Sequence, residues 1–288
     1  MHLYTCTGRE QYQELLHGSL FAARMRFLRF LAEKHQEIPS FLLPGICEVC
    51  DAPADFLTDY LYGVRIINGV RWPNWRERQV CLNCDLSSRQ RLALGFVRQT
   101  VAQAGNSPEY TVYMMEQITP VFRVGRRVLQ GINLIGSEYV EPGFQDRSVR
   151  ERIRHEDVQN LSFNDESIDL ILSNDVMEHV PDPDRGFREL CRVLRRGGKL
   201  FLTIPFNLDE DASVTRAELR DGGVHHHRPE VYHGNPLAEK GSLVFTDFGW
   251  DLLARLRAAG FATVEMKVAW SYTYGHLGIP MEYFIAGR

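Results

Sequence analysis

The sequence lacks a long hydrophobic run, a targeting segment and an excess of positive charge. No stretch approaches the roughly eighteen apolar residues of a membrane-spanning helix, so none is expected. The first residues, MHLYTCTGREQYQELL, lack the basic-then-apolar pattern of a secretory signal, which predicts a cytoplasmic protein. The net charge of −4 argues against a general polyanion binder. The six cysteines are then expected to be thiols or metal ligands rather than disulfides.

The stretch from Leu161 to Phe206 has the pattern of two buried strands joined by a helix. Apolar runs predict strands over 167–174 and 199–204. Between them, residues 184–194 carry apolar side chains at the spacing of one helix face. The run Arg195-Arg196-Gly197-Gly198 is expected to end that helix. The pattern is that of a βαβ unit.

This stretch resembles the second half of a class I S-adenosylmethionine (SAM) dependent methyltransferase of the methyltransferase type 11-like kind. Asp169, Glu178-His179 and the turn 194–200 stand in the order of the family's acidic strand, E-H segment and glycine turn. Arg196 replaces the proline of that turn. The resemblance implies an α/β fold with a Rossmann-like, doubly wound, seven-stranded sheet, and SAM as cofactor.

Two C-x-x-C pairs precede this region, formed by Cys47 with Cys50 and Cys81 with Cys84. Two such turns can present four sulfurs to one ion, so the spacing predicts a structural Zn²⁺ site. Two unrelated thiol pairs, or a redox C-x-x-C, remain alternatives. Between the pairs, the turn Asn68-Gly69 predicts a hairpin. A metal site would let a module with little core of its own fold.

These patterns divide the chain into two predicted domains. Residues 1–90 would hold an N-terminal helix over 10–34 and the zinc-binding module. Residues 91–288 would form the methyltransferase domain, with a lid-like insertion at 207–246. A helix over 87–104, capped by Ser87 or Ser88, would connect the two. The arginines of the first helix indicate either a solvated face or a basic face for a polyanionic partner.

The glycine-rich loop that the resemblance leads one to expect is missing. The first strand of the sheet is predicted over 110–115, and Glu116-Gln117-Ile118-Thr119-Pro120 follows it without a G-x-G. From about Cys47 onward the chain resembles a bacterial subset with an N-terminal zinc knuckle and a similar E-Q-x-T-P turn. A helix over 120–129 would still aim free amides at an anion. Loss of the loop equally suits a fold that no longer binds the cofactor.

The remaining cofactor residues are those that the resemblance implies. A second strand over 132–137 leads to Glu138, which would accept hydrogen bonds from the ribose hydroxyls, and Tyr139 would lie against the adenine. A third strand over 153–155 leads to Asp157 and Val158, which would bind the adenine edge. The cofactor-binding prediction therefore comprises Glu116, Gln117, Thr119, Glu138, Tyr139, Asp157, Val158, Asn174, Asp175, Val176 and His179.

The insertion contains a cluster of histidines, with four of the chain's ten between residues 225 and 233. A neutral imidazole there could take a proton from the methyl acceptor. The cluster could instead bind a metal ion, or its members could be polar structural residues. The candidate catalytic residues are His226, His227, Tyr232 and His233.

The predicted function is SAM-dependent methyl transfer to a hydroxyl or amine of a small molecule or sugar-containing metabolite. The alternative is a non-catalytic scaffold on the methyltransferase fold. An RNA methyltransferase is the third hypothesis, in which RNA would be held by the zinc knuckles with Arg65, Arg71, Arg76 and Arg78.

Overall fold

A computed structural model describes residues 2–141, 146 and 151–288. The chain divides into two compact units. The first unit contains Met1–Gly105, Arg123–Gln130 and Lys267–Glu282, and the second contains Asn106–Phe122, Gly131–Met266 and Tyr283–Arg288. The assignment of separate functions to residues 1–90 and 91–288 stays a prediction.

The α-helices of the described residues are α1 (Arg9–His17), α2 (Ser19–His35), α3 (Trp75–Arg78), α4 (Ser88–Gln103), α5 (Pro120–Val128), α6 (Pro183–Val193) and α7 (Leu252–Ala258). A 3₁₀ turn covers Met177–His179. None of these helices is both long enough and apolar enough to cross a bilayer.

The strands of the described residues are β1 (His2–Cys6), β2 (Ser40–Cys47), β3 (Ala52–Asp59), β4 (Arg65–Ile67), β5 (Val70–Trp72), β6 (Gln79–Cys81), β7 (Thr111–Met114), β8 (Asn133–Gly136), β9 (Ile168–Asn174), β10 (Leu194–Thr203), β11 (Val214–Thr215), β12 (Ala217–Arg220), β13 (Gly223–His226), β14 (Tyr232–Asn235), β15 (Ala238–Leu243), β16 (Thr246–Asp247), β17 (Thr263–Ser271) and β18 (His276–Gly287).

The largest sheet has seven strands in the order β1-β17-β18-β10-β9-β7-β8, and both β17 and β18 contribute residues to each unit. Strands β8, β7, β9 and β10 are parallel to one another, while β18 is antiparallel to β10. The predicted Rossmann-like α/β fold is therefore confirmed.

The predicted third strand is wrong, and β1 supplies the seventh strand instead. Among the described residues, 153–155 form a single bridge, between Glu138 and His155. The side-chain amide of Gln117 accepts from the Arg154 amide at 2.9 Å and donates to the Arg152 carbonyl at 3.0 Å. These are the backbone groups that a neighbouring strand would use, so a side chain takes the place of a peptide group beside this segment.

The predicted βαβ unit is confirmed, with one shift of boundary. Asp182 caps α6 by accepting from the Arg185 amide, and Pro183 occupies its first turn. The helix buries Phe187 and Leu190. Strand β10 begins at Leu194, several residues before the predicted start, because the Arg195–Gly198 turn is an irregularity within the strand rather than a loop before it.

The predicted continuous helix over 10–34 is wrong, because the chain breaks at Gly18. This residue is extended, with φ −69° and ψ 147°, and it separates α1 from α2. The hairpin predicted around Asn68 and Gly69 forms between β4 and β5, and both turn residues have positive φ, at 50° and 77°. The predicted cap of α4 is also present, since Ser87 and Gln90 form a capping box.

A fully buried arginine organises part of the first unit. The Arg91 guanidinium donates to the carbonyl oxygens of Gln79 at 3.3 Å, Tyr274 at 3.2 Å and Gly275 at 2.7 Å. It also lies over the Phe56 ring, 4.1 Å from the centroid. Burial lowers the pKa of Arg91 from its usual value. One side chain of α4 therefore satisfies carbonyls from two distant segments of the chain.

Candidate functional site

The predicted cofactor residues follow strands that end at one edge of the sheet. Met114 of β7 is level with Gly136 of β8 and with Leu172 of β9, and the three strands are parallel. Because the carboxyl ends of parallel strands meet at the same edge, the residues after them lie along one edge of the sheet, where ligands bind in such folds. Glu116 and Glu138 follow the first two strands, and Asn174 ends the third.

Glu116 braces the turn that replaces the glycine loop. Its buried carboxylate accepts from the Thr119 hydroxyl and, at 2.6 Å, from the side-chain amide of Asn174. Thr119 also accepts from the Phe122 amide at 3.3 Å, as an N-cap of α5 would. These side-chain contacts hold the backbone of the turn in one conformation. A glycine-rich loop would be more flexible at the same place.

Glu138 holds the same turn from the second strand. Its Oε1 atom accepts from the backbone amides of Gln117 at 2.6 Å and Ile118 at 2.9 Å. Burial raises the pKa of Glu138, although the two amide bonds act in the opposite direction. None of the described residues donates to Oε2.

The segment predicted to bind adenine is brought beside Glu138. The Glu138 amide donates to the Arg154 carbonyl at 2.9 Å, and its carbonyl accepts from the Glu156 amide at 3.1 Å. Asp157 follows and accepts from the Gln159 amide at 2.9 Å, while Val158 is buried. Tyr139 is 53% exposed, with its ring 5.4 Å from that of His155.

Glu156 was not among the predicted residues, although it is the more buried neighbour of Asp157. Burial alone would raise the pKa of Glu156, but hydrogen bonds from Ser162 and Arg154 outweigh it and lower the pKa. Its carboxylate accepts from the Ser162 amide at 2.9 Å. Glu156 therefore fixes this loop, and Asp157 is the acidic side chain with the greater exposure.

Beyond β9 the chain turns sharply toward the insertion. Asp175 has a positive φ of 49°, and its amide donates to the Thr203 carbonyl at 3.0 Å. Val176 is half-buried and precedes the 3₁₀ turn. This turn carries Glu178 and His179 next to the insertion, where the Phe245 amide donates to the Glu178 carbonyl at 2.7 Å.

Glu178, His179 and His233 lie close together at this turn. His179 Nδ1 lies 2.8 Å from the Leu243 carbonyl oxygen, and its Nε2 lies 3.2 Å from His233 Nδ1. The Glu178 carboxylate beside His233 raises the pKa of that imidazole, so a larger fraction of it carries a proton at neutral pH. The sequence had singled out both histidines, but it gave no sign that Glu178 would be fully buried between them.

The other candidate catalytic residues lie elsewhere on the insertion. His226 ends β13 and lies 3.4 Å from Glu230, while His227 lies 3.6 Å from Glu218. Both histidines are exposed, and the hydroxyl of the exposed Tyr232 donates to Glu230 at 2.9 Å. None of these contacts joins the His179–His233 pair, so the structure brings only His233 of this set to the 3₁₀ turn.

A pocket of mixed charge opens within the second unit. The Arg216 guanidinium donates hydrogen bonds to the Asp247 carboxylate at 2.6 Å and to the Pro229 carbonyl at 2.7 Å. The walls of the pocket are Asn207, Glu210, Val214, Arg216, Arg228 and Asp247.

The four knuckle cysteines meet in the first unit. All four sulfurs lie within 4.8 Å of one another, and those of Cys47 and Cys84 are 3.9 Å apart. Sulfurs about 2.3 Å from a tetrahedral Zn²⁺ would be about 3.8 Å apart, so the cluster fits such an ion. Hydrogen bonds from Cys47 and Cys84 lower the pKa of the Cys81 thiol, which favours its thiolate form.

The two knuckles also share one backbone conformation. The amide after each second cysteine donates back to the first cysteine's carbonyl, from Asp51 to Cys47 at 2.8 Å and from Asp85 to Cys81 at 2.9 Å. Both aspartates have positive φ, at 57° and 60°. Repetition of the same strained turn distinguishes this pair from two unrelated thiol pairs.

Comparisons with known proteins identify a methyltransferase domain. The family model described as "Methyltransferase domain" matches residues 123–202. An uncharacterized methyltransferase of Mycobacterium sp. (strain KMS) is 39% identical over 88 residues, which are 27% of this chain and 35% of that protein. A phosphatidylethanolamine N-methyltransferase of Cereibacter sphaeroides is 33% identical over 70 residues, or 24% of this chain and 34% of that protein. The match spans about a third of these curated relatives.

Among solved structures, an S-adenosylmethionine dependent methyltransferase from Mesorhizobium loti is 17% identical, with a TM-score of 0.40. The similarity covers 68% of this chain and 98% of that chain. Residues 123–202 match a methyltransferase domain, and the sheet of the second unit has a Rossmann-like α/β order.

Proposed function

We propose that this protein transfers a methyl group from SAM to a hydroxyl or amine of a small molecule or sugar-containing metabolite. The observation that carries the proposal is the convergence of polar groups at one sheet edge within a methyltransferase domain. Glu138, Asp157 and Asn174 come from three separate segments, and hydrogen bonds connect their surroundings. Such an edge is where ligands bind in open α/β sheets.

The residues at this edge fit the chemistry of SAM. Glu138 Oε2 would accept from a ribose hydroxyl, and Asp157 would accept from the adenine amino group, with the Val158 amide beside it. When bound, SAM supplies an activated methyl group. The protein's part is then to orient the acceptor and exclude water.

The non-catalytic alternative is favoured by one contact. Glu138 already takes the amides of Gln117 and Ile118, which would otherwise be free to bind an anion such as the methionine carboxylate. SAM binding would therefore require the carboxylate to serve the turn and the ribose at once, through its two oxygens. A direct binding measurement separates the two functions.

The RNA hypothesis receives little support from three of the four arginines on which it relies. Arg78 forms an ion pair with Asp59, and Arg76 forms one with Glu77. Arg71 donates to the Gln36 carbonyl at 3.1 Å. Guanidinium groups held in this way are less available to phosphates, so a small acceptor is the better proposal.

The acceptor is expected to bind near the insertion. The pocket around Arg216 offers both charge signs to a polar molecule. One relative is named a phosphatidylethanolamine N-methyltransferase, which keeps an amine among the acceptor classes. The cysteine cluster would hold a structural Zn²⁺, because four sulfurs leave no ligand position for substrate. A cytoplasmic location and a bacterial source stay predictions.

Calorimetric titration of the zinc-loaded protein with SAM, and separately with S-adenosylhomocysteine, tests the proposal. We expect saturable binding of both. Glu138→Ala and Asp157→Ala should each weaken it about 10-fold or more, the effect of losing a hydrogen bond to a carboxylate. Glu138→Gln should weaken it less, because its amide oxygen can still accept from the turn.

The matched control is Glu109→Ala, which removes an exposed carboxylate of the same unit and should leave the affinity unchanged. Absence of binding to either ligand by the folded protein would replace the proposal with the scaffold function. Unchanged affinity in both the Glu138 and Asp157 variants would show that the cofactor binds elsewhere.

A further inference from the structure

A carboxylate and two imidazoles converge where the 3₁₀ turn meets β14. His179 Nε2 and His233 Nδ1 are 3.2 Å apart. Glu178 Oε1 lies 3.4 Å from the His233 nitrogen and 3.5 Å from the His179 nitrogen. The three atoms form a nearly equilateral triangle, although His233 lies 54 residues from His179 in the chain.

The proton on His179 is fixed by its other neighbour. A carbonyl oxygen can only accept, so the 2.8 Å contact with Leu243 requires a hydrogen on His179 Nδ1. The other nitrogen, Nε2, faces His233 and Glu178 and would offer its lone pair to a metal ion. A backbone carbonyl that takes the second N–H is also the usual partner of a metal-binding imidazole.

Glu178 lacks the hydrogen bonds that a buried carboxylate requires. Its side chain is completely buried, and no described residue donates to Oε1 or Oε2 with hydrogen-bond geometry. Burying a charged group without hydrogen-bond partners is unfavourable. Native proteins rarely contain a buried carboxylate without them. A single hydrogen on His233 Nδ1 cannot serve both the carboxylate and the lone pair of His179.

We infer that Glu178, His179 and His233 bind one divalent transition-metal ion. Ligand atoms about 2.0 to 2.2 Å from a tetrahedral ion are about 3.3 to 3.6 Å apart, which is close to the observed triangle. A cation bound by these three atoms would neutralise the charge of the buried carboxylate and occupy the lone pairs of both imidazoles. Two imidazoles and one carboxylate suit ions from Mn²⁺ to Zn²⁺ better than Mg²⁺ or Ca²⁺.

Three protein ligands leave coordination positions open. A hydroxyl bound to such an ion would release its proton to water more readily than a free hydroxyl; its oxygen would then bond to the SAM methyl carbon as the carbon–sulfur bond breaks and S-adenosylhomocysteine leaves. This role rests on the proposed function, whereas the metal site itself does not.

Cobalt is the probe of choice, because its spectrum distinguishes the two sites. Protein with its cysteine cluster loaded with zinc is titrated with CoCl₂ and followed by calorimetry and visible absorption. We expect one Co²⁺ per chain, without the thiolate charge-transfer band of a cysteine site. His233→Ala and Glu178→Gln should each weaken binding more than about 100-fold, beyond the 10- to 100-fold that outer partners contribute.

His226→Ala is the matched control, since it removes a histidine of the same insertion that lies outside the triangle. It should leave the Co²⁺ affinity unchanged. The inference is overturned if the wild type binds no further ion, or if His233→Ala binds as tightly as the wild type. Loss of the ion in His225→Ala instead would assign it to the group formed by Glu218, His225 and His227.

Folding and cofactor binding are measured separately. His233→Gln, at a partly exposed position, provides a second variant if thermal unfolding shows that His233→Ala or Glu178→Gln does not fold. Co²⁺ binding without SAM binding would refute the proposed function and retain the metal site. SAM binding without Co²⁺ binding would refute the metal site and retain the proposed function.

Discussion

Cys81→Ser is expected to abolish zinc binding and unfold the part of the first unit around the knuckles. A structural Zn²⁺ contributes an apparent free energy of about 10 to 16 kcal/mol in small modules, as much as the whole stability of a typical domain. Serine cannot supply the thiolate, and three sulfurs do not close the tetrahedron. Metal content by elemental analysis and proteolysis of the full chain would measure the loss.

Cys6→Ala provides the control, because Cys6 is a buried cysteine of the same unit outside the cluster. It should keep one zinc per chain and lose only the packing of its sulfur. If Cys81→Ser retained stoichiometric zinc and native protease resistance, the knuckles would not be a zinc site. A chelator should reproduce the Cys81→Ser phenotype in the wild type.

Arg91→Ala is expected to lower the free energy of unfolding by at least about 3 kcal/mol. Hydrogen bonds to a charged group are each worth about 1.5 to 3 kcal/mol, and the carbonyls of Gln79, Tyr274 and Gly275 would lose their donor inside the protein. The variant also leaves a cavity beside the Phe56 ring. Denaturant unfolding, followed by circular dichroism, measures the change.

Arg91→Met separates the two contributions, since it fills most of the space but donates no hydrogen bond. We expect it to recover only a minor part of the loss. Arg29→Ala is the control, because Arg29 is an exposed arginine of α2 that pairs with Glu33 of the same helix. It should lower the free energy of unfolding by less than about 1 kcal/mol. A loss in Arg91→Ala no larger than in Arg29→Ala would contradict the role given to Arg91.

Patterns that are local in the sequence predicted most of the fold. The strand at 168–174 and the helix at 183–193 follow from short-range periodicity, and the paired C-x-x-C spacing predicted which cysteines meet. The break at Gly18 could not be predicted, because the helical pattern continues across it and many helices tolerate one glycine. The prediction of a third strand was wrong. The backbone of that segment bonds to the side chain of Gln117, which is distant in sequence.

The site was harder to predict than the fold. The family resemblance, rather than periodicity, singled out Glu138 after the second strand and Asp157 after a segment that does not form the predicted strand. It could not show that Glu138 holds the Gln117 amide, since that contact spans 21 residues. The burial of Glu178 against His233 depends on how the insertion folds back, which no local pattern determines.

The partners of the first knuckle are made at very different times during synthesis. Glu48, within that knuckle, binds His276 at 2.7 Å, and the two lie 228 residues apart. At about 5 to 20 residues per second, a ribosome needs roughly 10 to 45 seconds to translate that distance. During this interval the first knuckle lacks its His276 partner, while the thiols of its two cysteines have already been made. Early capture of an ion would shield them from oxidation during this interval, so metal supply would influence the yield of folded protein as well as its stability.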